Sequence, residues 1–143
     1  MTGYDFFDTT IFLHAKFDDG SKKHDIARNL IQDGIYQDSI AASIQVIDEF
    51  SVNALKNGVS PADVGAAVET MTRSFHVLPL TRETVYESLR LMNRYKLSFW
   101  NSMIVSAACR AQCRVLYTED IPDGLVIDRA LTVRNPFIKN PYQ

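Results

Sequence analysis

Short apolar runs alternate with longer stretches of helical periodicity along this chain. Compact apolar runs predict buried strands, and apolar residues recurring every three or four positions predict helices that cover a sheet. The first strand is predicted to end at Asp8, and later strands to occupy residues 37–42, 75–80, 114–117 and 130–133. Helices are predicted over residues 11–17, 22–33, 44–56 and 61–74, with two more starting at Thr81 and Ser98. This alternation predicts an α/β fold with a mostly parallel central sheet covered on both faces.

Individual residues sharpen these helix predictions. Gly34 is a typical C-terminal stop, and Ser60 followed by Pro61 is a strong helix start. In the helix that opens at Thr81, the spacing predicts a buried side formed by Val85, Leu89 and Met92. The aromatic residues Tyr95, Phe99 and Trp100 are expected in the core or at a dimer interface.

Composition restricts the class of protein. The 143 residues are 46% hydrophobic and 22% charged, which fits a single domain over residues 1–143. The formal net charge of -2 neither indicates nor excludes nucleic-acid binding. No apolar stretch approaches the roughly 20 residues that span a bilayer, so a cytoplasmic protein is expected. Cys109 and Cys113 lack further metal ligands nearby and are expected to be buried, reduced thiols.

Acidic residues follow several predicted strands. Asp8 ends the first strand, Glu49 lies in the helix after the second, and Asp120 follows the fourth, while Asn101 lies in the first turn of the helix from Ser98. Because the carboxyl ends of parallel strands share one edge of the sheet, these side chains are expected to converge. Clustered carboxylates repel unless a cation lies between them, and oxygen ligands favour Mg²⁺ or Mn²⁺. Taken singly, each acid is equally explained as a helix cap or an exposed residue.

The residues also resemble a known family, the PIN domains, and within it the VapC-type toxins of bacterial toxin-antitoxin pairs. The similarity extends along nearly the whole chain and is clearest at residues 7–10, 43–50, 95–105, 116–120 and 135–137. It implies a PIN-like, three-layer α/β/α fold with a mostly parallel sheet of four to five strands. It also implies a metal-dependent endoribonuclease that acts on structured RNA, forms a homodimer and binds a small antitoxin protein.

The resemblance assigns roles to individual residues. Asp8, Glu49 and Asp120 match the acidic metal-site positions of the family, and Thr118 matches a hydroxyl position that supports the site. Glu119 is a weaker candidate, because a strand neighbour of Asp120 should point away from it. Mg²⁺ or Mn²⁺ is the implied cofactor.

Position 101 departs from the family pattern, in which Asp follows the Phe-Trp pair. Asn101 keeps the shape of Asp and offers a carbonyl oxygen, but it removes one negative charge from the site. Either this is a natural variant with reduced activity, or the residue was changed to allow production of a toxic enzyme. In both cases the sequence predicts weak RNA cleavage.

Cations and alternative functions complete the sequence-based hypothesis. Lys22, Lys23 and Arg28 lie on one predicted helix and are the first candidates for contacting phosphate, although such clusters are more often solvated helix faces. The main alternative is a binding module that engages RNA or antitoxin without cutting. A phosphatase of the haloacid dehalogenase type is disfavoured, because that family has a second Asp where Thr10 stands.

Overall fold

The computed structural model describes residues 3–138, and in that range it contains six helices and six strands. The strands are β1 (Asp5–Phe7), β2 (Ile40–Ser43), β3 (His76–Leu78), β4 (Val115–Tyr117), β5 (Val126–Ile127) and β6 (Leu131–Arg134). The helices are α1 (Thr9–Lys16), α2 (Lys23–Tyr36), α3 (Ile44–Lys56), α4 (Pro61–Ser74), α5 (Arg82–Tyr95) and α6 (Phe99–Arg110). Residues 139–143 lie outside the described range.

All six strands form one sheet in the order β3-β2-β1-β4-β6-β5. Every neighbouring pair is parallel except β5 and β6, which pair antiparallel. The prediction of an α/β fold around a mostly parallel sheet is confirmed, although the sheet has six strands instead of four to five. The strand order reverses at β1, so a crevice forms between the carboxyl ends of β1 and β4, where open α/β sheets bind ligands.

Successive side chains of the central strands point to opposite faces of the sheet, and this alternation decides which of them meet in the core. Phe6 pairs with Leu116, and Leu116 pairs with Val133, so these three side chains share one face of the sheet. All three are fully buried. Phe7 lies on the opposite face, where it stacks on Phe12 of α1 and contacts the ring of Tyr117 edge-on. Because both faces of β1 are buried, this strand forms the middle layer of the domain.

Hydroxyl caps define several of the helix starts. The side chain of Ser60 accepts a hydrogen bond from the backbone N–H of Asp63, and Pro61 occupies the first helical position. Thr81 and Ser98 cap α5 and α6 in the same way. Because these signals are local, the boundaries predicted for α3 and α4 agree with the structure.

Gly34 does not stop its helix, so that prediction is wrong. α2 continues to Tyr36, and Gly34 is buried inside it. A Cβ atom at position 34 would lie 2.5 Å from Cγ1 of Ile40 and 3.4 Å from Cζ of Phe7. The glycine is therefore needed for close packing of α2 on the sheet. Because the helix is longer than predicted, β2 begins later in the chain, at Ile40. The turn between them contains Asp38, which has a φ of 51°.

The buried side of α5 was also predicted wrongly. Its buried residues are Thr84, Ser88 and Leu91, whereas Val85, Leu89 and Met92 are exposed. Ser88 donates a hydrogen bond to the carbonyl oxygen of Thr84 within α5. Small polar residues allow α5 to pack closely on α6, and the larger apolar residues are left on the outer surface.

Other predictions about side-chain environment have mixed outcomes. Trp100 is 63% exposed and so does not belong to the core. Cys109 and Cys113 are free thiols, and burial raises the pKa of each to about 12, so both stay protonated and unreactive near neutral pH. Among residues 3–138, no helix is long and apolar enough to cross a bilayer.

Candidate active site

Asp8 lies at the centre of the crevice, between β1 and α1. Its backbone N–H donates to the carbonyl oxygen of Tyr117, which continues the pairing of β1 with β4. Its carboxylate caps α1, because Oδ1 accepts a 2.7 Å hydrogen bond from the backbone N–H of Thr9. Oδ2 accepts a 2.6 Å hydrogen bond from the hydroxyl of Thr118. The side chain is held rigidly at the carboxyl edge of the sheet.

Glu49 approaches the same place from the second turn of α3. Its Oε2 accepts a 2.7 Å hydrogen bond from the hydroxyl of Thr9, the residue that follows Asp8. Its Oε1 accepts a 2.9 Å hydrogen bond from the side-chain amide of Gln45, one turn earlier on α3. The prediction that α3 brings Glu49 towards the end of β1 therefore agrees with the geometry.

Asp120 follows β4 in the segment that begins with Thr118. The hydroxyl of Thr118 accepts a 3.1 Å hydrogen bond from the backbone N–H of Asp120 while it donates to Asp8. One buried threonine thus fixes the Asp8 carboxylate and the backbone of Asp120 together. As a whole residue Asp120 is exposed, although its carboxylate is partly desolvated.

The negative charges of the three acids raise the pKa values of Asp8 and Asp120. Asp8 is only 3% exposed, and burial, followed by the charges of Glu49 and Asp120, raises its pKa to about 6 despite the hydrogen bonds from Thr118 and Thr9. The pKa of Asp120 is also raised, by desolvation and then by the charges of Glu119 and Glu49. Three carboxylates from distant parts of the chain therefore share one neighbourhood, in which negative charge is disfavoured.

Asn101 occupies the first turn of α6, where its backbone N–H donates to the hydroxyl of Ser98. The preceding residue, Trp100, accepts a 3.1 Å hydrogen bond at its carbonyl oxygen from the same Gln45 amide that binds Glu49. This contact joins the start of α6 to the acidic side of α3. Asn101 is half-buried, and among residues 3–138 no hydrogen bond or ion pair joins its side chain to the acids.

The donor set can be compared with the requirements of a divalent ion. Asp8, Glu49 and Asp120 offer carboxylate oxygens and Asn101 a carbonyl oxygen, which are the hard ligands that Mg²⁺ and Mn²⁺ take. Within residues 3–138, no three His, Cys, Asp or Glu side chains are already close enough to form a metal site. The residues fit such an ion in their chemistry and shared neighbourhood, but the ligand shell is not preformed.

Two residues that sequence reasoning missed support the site. Gln45 is buried and connects Glu49 with α6, and Thr9 joins Glu49 to the segment that carries Asp8. The spacing of Gln45 and Glu49, four residues apart on one helix, was a usable signal for the first contact. The oxygen Oε1 of Gln45 is buried and has no hydrogen-bond partner among the described residues.

Cations near the site are already partly engaged. Lys23 donates to Glu119 at 2.7 Å, and Nε2 of His14 lies 2.6 Å from the other oxygen of Glu119. These contacts lower the pKa of Glu119 against the effect of its burial. Glu119 thus fastens the segment before Asp120 to α1 and α2. Lys22 and Arg28 are exposed, and no described contact joins either to the acids.

Comparison with known structures supports the same fold. A toxin-antitoxin complex from Klebsiella pneumoniae has a TM-score of 0.70 at 20% identity, covering 93% of this chain and 98% of that one. VapC20 from Mycobacterium tuberculosis, a toxin that cleaves the sarcin-ricin loop, has a TM-score of 0.63 at 17% identity, covering 80% and 90%. VapBC2 from Rickettsia felis, bound to a DNA fragment from its promoter, gives 0.66 at 16% identity, covering 92% and 98%.

Sequence comparison adds the family. No curated protein matches this chain. The family model of the PIN domain matches residues 6–121, a segment that contains Asp8, Glu49, Asn101 and Asp120. The match covers most of the chain, from β1 to the segment after β4. This chain therefore belongs to the PIN domain family.

Proposed function

We propose that this protein is a metal-dependent endoribonuclease toxin of the VapC type, weakened by Asn101. The observation that carries the proposal is the buried carboxylate of Asp8, whose pKa is raised to about 6 with two further acids acting on it. A purely structural helix cap does not need two additional carboxylates beside it. A crevice that disfavours negative charge in this way is suited to a bound cation.

Asp8, Glu49, Asp120 and Asn101 would hold Mg²⁺ or Mn²⁺ in this proposal. A bound ion of this kind activates water for attack on a phosphodiester and neutralises charge on the phosphate. Thr118 keeps the Asp8 carboxylate in place, and Thr9 and Gln45 keep that of Glu49 in place. Two of the three acids would thus be oriented by neighbouring side chains before the ion and the substrate bind.

Three similar structures support the toxin assignment, since each is named as a toxin or a toxin-antitoxin assembly. One of them cleaves the sarcin-ricin loop, which makes structured RNA the proposed substrate here. The proposed partner is a cognate antitoxin protein that covers the crevice. An arginine from that partner would match the carboxylates, because guanidinium binds them in a bidentate manner.

A homodimer in the cytoplasm is the proposed state of the protein. The exposed apolar side chains of Val85, Leu89 and Met92 on α5 support it, because Leu89 is 52% exposed and its neighbours offer a continuous apolar stripe. A second copy of the chain that presents the same stripe would bury the stripes of both copies. This surface lies on α5, whereas the acids lie at the carboxyl edge of the sheet, so dimer and antitoxin would not compete.

The test is RNA cleavage by the protein and by Asn101→Asp, with added Mn²⁺ or Mg²⁺ and with EDTA. Restoring the fourth carboxylate should raise cleavage by about 100-fold, because it strengthens the hold on the ion. Asn53→Asp, elsewhere on α3, serves as the matched charge change. Equal turnover of the protein and Asn101→Asp at saturating metal would refute the proposed role of Asn101.

A second candidate function is a binding module that engages RNA or antitoxin without cutting. Asn101 favours it, because the site has one carboxylate fewer than the resemblance implies. If neither form cleaves RNA with metal, while both bind it, the module is the better description.

A further inference from the structure

Three arginines surround one hollow on the sheet, away from the acids. Arg114, Arg129 and Arg134 line a space of about 580 Å³ together with Val115, Ala130 and Thr132. Arg114 directly precedes β4, Arg129 lies in the turn between β5 and β6, and Arg134 ends β6. We refer to this space as the arginine hollow.

The hollow exists because one face of β4, β5 and β6 is left open. Leu116 and Val133 face the other side of the sheet and are fully buried. On the open side, Val115 pairs with Thr132 and both are only half-buried, while Val126, the other neighbour of Thr132, is 49% exposed. The helices thus cover one face of this half of the sheet and leave the other to solvent.

Positive charge predominates around the hollow. Other arginines pair with acids, as Arg73 does with Glu69, but none of the three makes an ion pair within 4 Å among the described residues. Arg114 acts on Asp5: burial raises the pKa of Asp5, and the charge of Arg114 partly offsets this effect. Asp5 acts on Arg114, and the surplus of guanidinium groups around the hollow favours an anionic ligand.

Arg134 connects one end of the hollow with the segment that follows β4. The backbone N–H of Thr118 donates a 3.0 Å hydrogen bond to the carbonyl oxygen of Arg134, and the hydroxyl of Thr118 holds Asp8. From Arg134 the hollow follows β6 back towards Arg129. At about 3.3 Å per residue, the length of β6 is roughly 10 Å. A nucleic-acid strand carries one charge per about 3.4 Å, so roughly three phosphates match this length.

We propose that the arginine hollow binds the phosphodiester backbone of RNA to one side of the bond that is cut, a few nucleotides away from it. The inference rests on the proposed ribonuclease function and adds a substrate-binding surface that Lys22, Lys23 and Arg28 do not provide. Guanidinium groups bind phosphate oxygens in a bidentate manner, and the hydroxyl of Thr132 adds a neutral donor. An open β-sheet surface with charge but few aromatic side chains favours contact with the backbone over stacking of bases.

The experiment compares the full chain with the triple variant Arg114→Gln, Arg129→Gln and Arg134→Gln. A control variant, Lys56→Gln with Arg73→Gln and Arg82→Gln, removes the same charge from exposed residues elsewhere. Binding of a fluorescein-labelled RNA hairpin with a single-stranded tail is measured by anisotropy in EDTA over a range of NaCl concentrations. The triple variant should bind about 10- to 100-fold more weakly, with a salt slope smaller by about 2. The control variant should change the binding affinity and the salt slope much less.

Single variants Arg114→Gln and Arg134→Gln guard against misfolding of the triple variant, and each should lower the slope by about 0.7. Equal slopes for the protein, the single variants and the control would overturn the proposal. A second result would also overturn the proposal: the protein binds a poly-glutamate peptide more tightly than RNA, and the triple variant loses this binding. The hollow would then be a site for an acidic protein. Cleavage by Asn101→Asp, measured in parallel, separates failure of this surface from failure of the ribonuclease function.

Discussion

Replacing Asp8 with Asn should make the protein more stable at neutral pH while abolishing any metal-dependent activity. Burial and the neighbouring acids raise the pKa of Asp8 to about 6, against an ordinary value of 3.8. The folded state therefore holds this proton more tightly than the unfolded state does. Stability is greatest below the ordinary pKa and falls as the pH rises through 6, because the ionised carboxylate is then forced into a buried site.

The magnitude follows from the two pKa values. At pH 7.5 the cost of ionising Asp8 in the fold is about 3 kcal/mol, and at pH 4.5 it is about 1 kcal/mol. Asn has no charge, and its Oδ1 can still accept the hydrogen bond from Thr9, whereas the amide nitrogen that replaces Oδ2 cannot accept the bond from Thr118. The advantage of Asp8→Asn over the unchanged protein should thus grow by about 2 kcal/mol between pH 4.5 and pH 7.5.

Urea unfolding in EDTA at both pH values measures this difference directly. Asp48→Asn, at an exposed position one residue before Glu49, is the matched control and should show almost no pH-dependent advantage. Adding Mn²⁺ at pH 7.5 should stabilise the unchanged protein and leave Asp8→Asn nearly unaffected, because a ligand stabilises only the form that binds it. An advantage of the same size at pH 4.5 and pH 7.5 would refute the reasoning about burial and charge.

Two further substitutions test the packing around the site. Thr118→Val should lower the free energy of unfolding by about 1–3 kcal/mol at pH 7.5 and by less at pH 4.5, because it removes the hydrogen-bond donor to ionised Asp8. Equal losses in urea unfolding at both pH values would argue against this. Gly34→Ala should cost about 1–3 kcal/mol by pressing on Ile40, whereas Gly65→Ala, with open space around it, should stabilise α4 by up to about 1 kcal/mol. A thermal melt in which both glycine variants gain stability would contradict the close packing of α2.

The parts of the fold that were predictable from sequence carry local signals. Ser60 and Pro61 define the start of α4, and the apolar run before Asp8 identifies the central strand. The outer face of α5 was not predictable in this way. Leu89 follows the spacing of a buried residue, but the smaller Ser88 is buried instead, because the close approach of α6 decides which side is covered.

The candidate site was also predictable only in part from the sequence. Asp8 and Asp120 could be found because they follow strands, and Glu49 because it follows a strand by one helical turn. The spacing of Gln45 and Glu49 indicates their contact, but the hydrogen bond from Gln45 to the carbonyl oxygen of Trp100, 55 residues away in the chain, could not be predicted. Contacts between distant segments depend on how the helices pack, and a single sequence does not encode that packing in any local pattern.

The hydrogen bond between Thr118 and Asp8 joins residues 110 positions apart in the chain. During synthesis on the ribosome, Asp8 emerges early, but its partner just after β4 becomes available only when most of the polypeptide has been made. A nascent chain that stops short of β4 therefore has no assembled crevice. If the protein cuts RNA, the ribosome that makes it is exposed to the active form only once translation is nearly finished.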